Sequence, residues 1–136
     1  MAFSGGCLCG QVHYSLEGEP AATAICHCKN CQKQGGGAFS VNLLFSEAQL
    51  TLNGSLSTFV DKSETGASVY RKFCGTCGSP IYSGLESMPG LVAIKAGTLD
   101  DTHDVHPSVQ VWCDSKQDWV HLPDDLPGFG KNPPAN

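Results

Sequence analysis

Seven of the eight cysteines stand in three short clusters, Cys7-x-Cys9, Cys26-x-Cys28-x-x-Cys31 and Cys74-x-x-Cys77. Pairs at these spacings let two sulfurs meet one ion, so the first and third clusters together supply a closed four-sulfur zinc site. The triplet is then left over. A zinc held by three protein ligands keeps one position free for water or substrate, which separates catalytic from structural zinc. The order of the clusters also constrains the fold, because a shared ion would join the N-terminus to mid-sequence and close a long loop.

The choice of metal over disulfides rests on the expected compartment. No window approaches the roughly 20 continuous apolar residues of a membrane helix, and no basic start leads into an apolar run before the first cluster. The expectation is a soluble, cytoplasmic protein. In a reducing cytosol paired C-x-x-C spacings hold metal more often than they form disulfides. A redox C-x-x-C would explain one pair but not three clusters. A net charge of −5 argues against a nucleic-acid surface. Four of the eight basic residues nevertheless sit beside the thiols: Lys29 and Lys33 around the triplet, Arg71 and Lys72 before Cys74.

With 136 residues the chain is read as one domain, 1–136. Short alternating runs dominate and predict strands at Val12–Leu16, Ala38–Phe45, Ser68–Phe73, Pro80–Ser83, Leu91–Lys95 and Val109–Trp112. Ser46 can cap one helical turn over 46–50. Nothing offers the 10–12 periodic residues of a full helix. The fold class is therefore mainly β with very little helix. The segment 124–136, rich in Pro and Gly, is expected as an extended strap or a fraying end.

Phe73-Cys74-Gly75-Thr76-Cys77-Gly78 reads as a zinc-ribbon knuckle. Gly6-Cys7-Leu8-Cys9-Gly10 reads as its partner, with both sulfurs on one face of an extended segment. Around Cys26, Cys28 and Cys31, three thiolates would leave a zinc electron-rich, a poor activator of water but a good acceptor of a fourth thiolate. The chemistry expected is that of a substrate thiol. A closed second structural site, completed by His27 or Cys113, is the competing reading. His27 lies between two ligands and should point away from their metal. Cys113 reads as a buried core thiol, His13 as a surface residue, and His103 and His106 as loop residues that could border a cleft.

These residues resemble the glutathione-dependent formaldehyde-activating family. The resemblance runs through Gly6-Cys7-x-Cys9-Gly10, Cys26-His27-Cys28-x-x-Cys31 with Ala38-Phe39, and Arg71-x-Phe73-Cys74-x-x-Cys77-Gly78. It continues in Ala96-Gly97-Thr98-Leu99-Asp100, Trp119 and Leu126-Pro127-Gly128-Phe129, so it covers nearly the whole chain. It implies an Mss4-like (β-tent) fold and two zinc ions per chain. Cys7, Cys9, Cys74 and Cys77 would hold the structural ion, and Cys26, Cys28 and Cys31 a second, labile and active one. It further implies a carbon–sulfur lyase that joins glutathione to formaldehyde as S-hydroxymethylglutathione. Candidate proton donors are His27 and a bound water, and the segments expected to meet the substrate are 32–38 and 86–90. The rival class is a non-enzymatic, zinc-stabilised binding module; a third is thiol redox chemistry by the triplet. Related domains occur in a centromere-associated protein, whereas this acidic chain lacks a basic extension.

Overall fold

The computed structural model describes residues 2–133; Met1 and residues 134–136, the last part of the expected strap, lie outside the described residues. Among the described residues, ten strands form two sheets. β1 (Ala2–Gly6), β2 (His13–Glu17) and β5 (Leu50–Asn53) make a three-stranded antiparallel sheet in the order β1-β2-β5. The larger sheet runs β10-β3-β4-β9-β8-β7-β6. Its strands are β3 (Ala22–Cys26), β4 (Ser40–Ser46), β6 (Ser57–Lys62), β7 (Ser68–Phe73), β8 (Pro80–Leu85), β9 (Leu91–Lys95) and β10 (Val109–Val111). All neighbours pair antiparallel except β10 with β3.

Strand alternation builds the core. Phe3 on β1, and Tyr14 and Leu16 on β2, face the large sheet, where Leu43 and Phe45 of β4 and Val92 and Ile94 of β9 meet them. Phe3 and Phe45 contact edge to face with centroids 5.8 Å apart. Each fully buried side chain of this size contributes about 2 kcal/mol. Gly5 admits no side chain, because a Cβ there would collide with Thr98 O and the Tyr14 hydroxyl. That close approach lets β1 bridge to Leu99 and ties the small sheet to the segment after β9.

The opposite face of the large sheet is polar. Register places Cys26 opposite Ser40, Asn42 opposite Lys95 and Phe59 opposite Arg71. With two residues per repeat, Asp61 shares the face of Phe59. A polar row thus crosses the sheet beneath helix α1 (Lys29–Gly35), which the predicted strand pattern had not included. Its seven residues carry no apolar periodicity. It is held instead by its start and its neighbours: the Cys28 sulfur accepts from Cys31 N at 3.2 Å, and Asn30 donates to Asp61 at 3.0 Å. Gln32 donates to the carbonyls of His27 and Ser115. Ser46 does precede a short 3₁₀ turn (Glu47–Gln49), with Gln49 Oε1 accepting from Ser46 N at 2.9 Å.

Beyond β10 the chain turns at Trp112 and doubles back. Gln110 N donates to Pro127 O and Gln110 O accepts from Phe129 N, so the described part of the strap packs beside β10. No helix among the described residues is long and apolar enough to cross a membrane.

Candidate metal centres

The four-sulfur group forms where two tight turns meet. Cys7 and Cys9 do not lie in an extended segment as the sequence suggests. A turn carries them, with Gly10 N donating to Cys7 O and Gly10 at φ 83°, a conformation that suits glycine. The sulfurs converge all the same, with Cys7 Sγ and Cys9 Sγ 3.6 Å apart and Cys9 Sγ and Cys74 Sγ 3.7 Å apart. Tetrahedral ligation at a Zn–S distance of about 2.3 Å requires sulfurs roughly 3.8 Å apart, so the spacing suits zinc. Polar contacts lock the two turns together: Leu8 N donates to Ser79 Oγ, and Thr76 Oγ1 to Gln11 Oε1. Cys74 is wholly buried and belongs to the core.

Within this group the thiols pull apart in acidity. Hydrogen bonds from Ser79 bring Cys77 down to about 5. At Cys9 a backbone hydrogen bond from Gln11 pulls down, but burial and the three neighbouring thiols outweigh it and push the group up to about 11. Crowded sulfurs cannot all ionise unless a cation takes the place of their protons.

The second group is Cys26, Cys28 and Cys31, whose sulfurs all lie within 4.8 Å of one another. β3 delivers Cys26, the start of α1 delivers Cys28, and the first helical turn delivers Cys31. Cys31 Sγ lies 3.7 Å from Cys26 Sγ, again near the tetrahedral spacing. The group contains three ligand atoms; neither His27 nor Cys113 is among them. His27 is fully buried with its ring turned away, Nε2 donating to Gln110 Oε1 at 3.0 Å and Nδ1 unpartnered. Cys113 opens a 3₁₀ turn (Cys113–Ser115) and is half-buried beside Gly128 rather than in the core. His13, His103 and His106 are exposed.

Cys31 receives the most support. Its near neighbours Cys26 and Cys28 hydrogen-bond it, and despite burial it is driven far below the ordinary thiol range; the charge of Lys95 and a hydrogen bond from Ser40 add to this. Cys26 is driven far up by its own neighbours Cys28 and Cys31, with burial adding to them. Arg71 Nη1 stands 3.9 Å from Cys31 Sγ, while its Nε bonds Asp61 at 3.0 Å. On the other side a chain of hydrogen bonds runs from Lys95 Nζ to Asn42 Oδ1 (2.7 Å) and from Asn42 Nδ2 to Ser40 Oγ (2.9 Å).

A cavity of about 410 Å³ opens onto Cys31, walled by Phe39, Val41, Val105 and Pro80, with Ser40 and Lys95 as polar elements. Gln34 and Gly35, from the expected substrate segment 32–38, also line it. The other expected segment, 86–90, reaches neither this cavity nor a second recess of about 290 Å³ between α1 and β6. The loop holding His103 and His106 contributes Thr102, Val105 and Pro107 to the cavity instead. Sequence reasoning missed Ser40, Asn42 and Lys95. Only their places in the strand register, opposite Cys26 and one another, would have revealed them.

A mainly β protein that gathers seven cysteines into one four-sulfur and one three-sulfur group belongs to a class built around metal-compatible thiol clusters. The chain is a member of the glutathione-dependent formaldehyde-activating enzyme family, which it matches over residues 2–115. That membership supports a role of the glutathione-dependent, formaldehyde-activating type and glutathione as the partner. A solved Rhodobacter sphaeroides protein, a structural-genomics target, is similar in fold, with a TM-score of 0.59 and 22% identity over 74% of this chain and 91% of its own. No curated protein sequence matches the chain significantly.

Proposed function

We propose that the chain is a zinc-dependent carbon–sulfur lyase that joins the thiol of glutathione to formaldehyde, giving S-hydroxymethylglutathione, and runs the reverse cleavage. The observation that carries the reading is the three-sulfur group beside a cavity that opens onto Cys31. Cys7, Cys9, Cys74 and Cys77 would hold a structural zinc, and Cys26, Cys28 and Cys31 a second one with a free position. Bound there, zinc would supply the Lewis acidity that keeps an incoming thiol deprotonated near neutral pH.

The residues around the triplet then do the rest. Arg71 and Lys95 offset the negative charge of the sulfurs, which favours an anionic guest over a neutral one. Phe39, Val41 and Val105 give the cavity apolar walls that limit water and hold a small aldehyde next to the thiolate. The thiolate sulfur bonds to the carbonyl carbon, the π pair moves onto oxygen, and the alkoxide takes up a proton. Catalysis is then chiefly proximity and thiolate supply. His27, buried and tied to Gln110, is absent from the cavity wall, so the proton comes from water in this scheme. The reading takes the chain, strap included, as one domain in a cytoplasmic, reducing compartment, with the cysteines free of disulfides as they are in the structure.

The test is exchange spectroscopy of glutathione and formaldehyde with metal-loaded protein. The wild type should accelerate adduct formation. Cys31→Ser should lose the acceleration while keeping its circular dichroism; retained acceleration in that variant would refute the assignment.

A further inference from the structure

The cavity beside Cys31 is mostly apolar, and among its described lining residues Lys95 carries the only cationic side chain. Its position is well fixed. Lys95 ends β9, and its carbonyl accepts from Thr98 Oγ1 at 2.8 Å, while Thr98 in turn contacts the Tyr14 hydroxyl at 2.7 Å. At the far end Nζ is anchored on Asn42 Oδ1 at 2.7 Å. An ammonium has three donors, and that hydrogen bond occupies one of them. Strand register sets Lys95 on the same face as Cys26, with Asn42 and Ser40 between them.

We infer that Lys95 is the oxyanion-binding residue of this site, a group that contacts the substrate and selects guests with negative oxygen one or two atoms from their sulfur. The inference rests on the thiol-accepting reading of the three-sulfur group and adds to it the residue that recognises the reacting oxygen. In the addition step the S–C bond forms as the C=O π pair collapses onto oxygen. The charge created there lies against the Lys95 ammonium, which donates a hydrogen bond and keeps its proton, and water later protonates the alkoxide. A fixed cation in a cavity with apolar walls stabilises developing charge better than mobile water does, because it needs no reorganisation. The same geometry predicts tight binding of short mercapto-carboxylates, whose carboxylate imitates the alkoxide.

The test uses cobalt-substituted protein and two small probes, thioglycolate and 2-mercaptoethanol, which differ chiefly in carrying a carboxylate or a neutral hydroxyl. Sulfur-to-cobalt charge-transfer absorption reports thiol binding without any turnover. The wild type should bind thioglycolate roughly tenfold more tightly, as suits one charge-assisted contact. Lys95→Met and Lys95→Gln should bring the two probes to within about twofold, and Lys95→Arg should restore the preference. The unchanged cobalt d–d spectrum of the four-sulfur site verifies folding of each variant. Equal binding of both probes by the wild type, or a preference that survives in both neutral variants, would overturn the role of Lys95 alone. If neither thiol alters the spectrum, the thiol-accepting reading falls and the inference with it.

Discussion

Arg71 reaches away from the cysteine pair it precedes in sequence and sets its Nη1 3.9 Å from the sulfur of Cys31, in the other cluster. Arg71 is 4% exposed, and its Nε bonds Asp61, whose second partner is Asn30 on α1. One guanidinium therefore links an edge strand, the helix and the most strongly supported thiol. Burial works against its charge, but Cys31 and Asp61 more than compensate and raise its pKa.

Replacing Arg71 by Met removes a cation from beside the sulfurs and strands Asp61. Loss of one partner from a buried ion pair costs several kcal/mol; Asp61 keeps partial access to water, so about 2 kcal/mol is expected here. Arg71→Met should also release metal to a chelator faster from the triplet than from the four-sulfur group. Urea unfolding and biphasic chelator kinetics measure the two effects.

The two sulfur groups should respond differently to loss of one ligand. Cys74 lies in the core and helps join the N-terminus to β7, so Cys74→Ser should unfold the chain or lower its stability by several kcal/mol. Cys31→Ser should leave the fold intact and reduce the metal content to one ion per chain. Elemental analysis with thermal melts of both variants distinguishes these outcomes.

His27→Ala should leave metal content at the wild-type ratio. It removes a fully buried ring, its hydrogen bond to Gln110 and its edge contact with Phe39, at a cost of about 2–4 kcal/mol. Loss of one ion together with the expected destabilisation would make His27 a ligand after all.

Tyr14 provides a pH signature of the core. Burial, opposed by the hydrogen bond with Thr98 and assisted by the charge of Asp100, pushes its hydroxyl up to about 12. The unfolded chain ionises near the ordinary value of 10.0. Since the folded value is the higher, this contribution is intact below pH 10 and is lost as pH rises toward 12, at up to about 1.4 kcal/mol per unit. Wild-type stability should fall relative to Tyr14→Phe across that window, as urea titrations at pH 9 and 11 would show.

The parts legible in the sequence were those set by short spacing. Each cysteine cluster is local, and alternation in segments such as Leu91–Lys95 follows from two-residue strand geometry. Helix α1 escaped notice because its seven residues, with Cys31 the one apolar side chain, offer no hydrophobic period; a cysteine cap and tertiary hydrogen bonds hold it. The polar and charged groups around the triplet were equally hidden. Arg71 was visible as a basic residue near thiols, but its sequence neighbour Cys74 is not the sulfur it serves. Ser40, Asn42 and Lys95 come together only through pairing of β3, β4 and β9, in which Asn42 and Lys95 meet across 53 residues of sequence.

The central claim is an open three-sulfur zinc beside a closed four-sulfur one, and X-ray absorption at the zinc edge tests it most directly. Seven thiolates shared by two ions give about 3.5 sulfurs per zinc, with the remainder from lighter oxygen ligands. Addition of glutathione should raise the average to about 4 and remove the oxygen shell. Four sulfurs per zinc before glutathione is added, unchanged after it, would contradict the account.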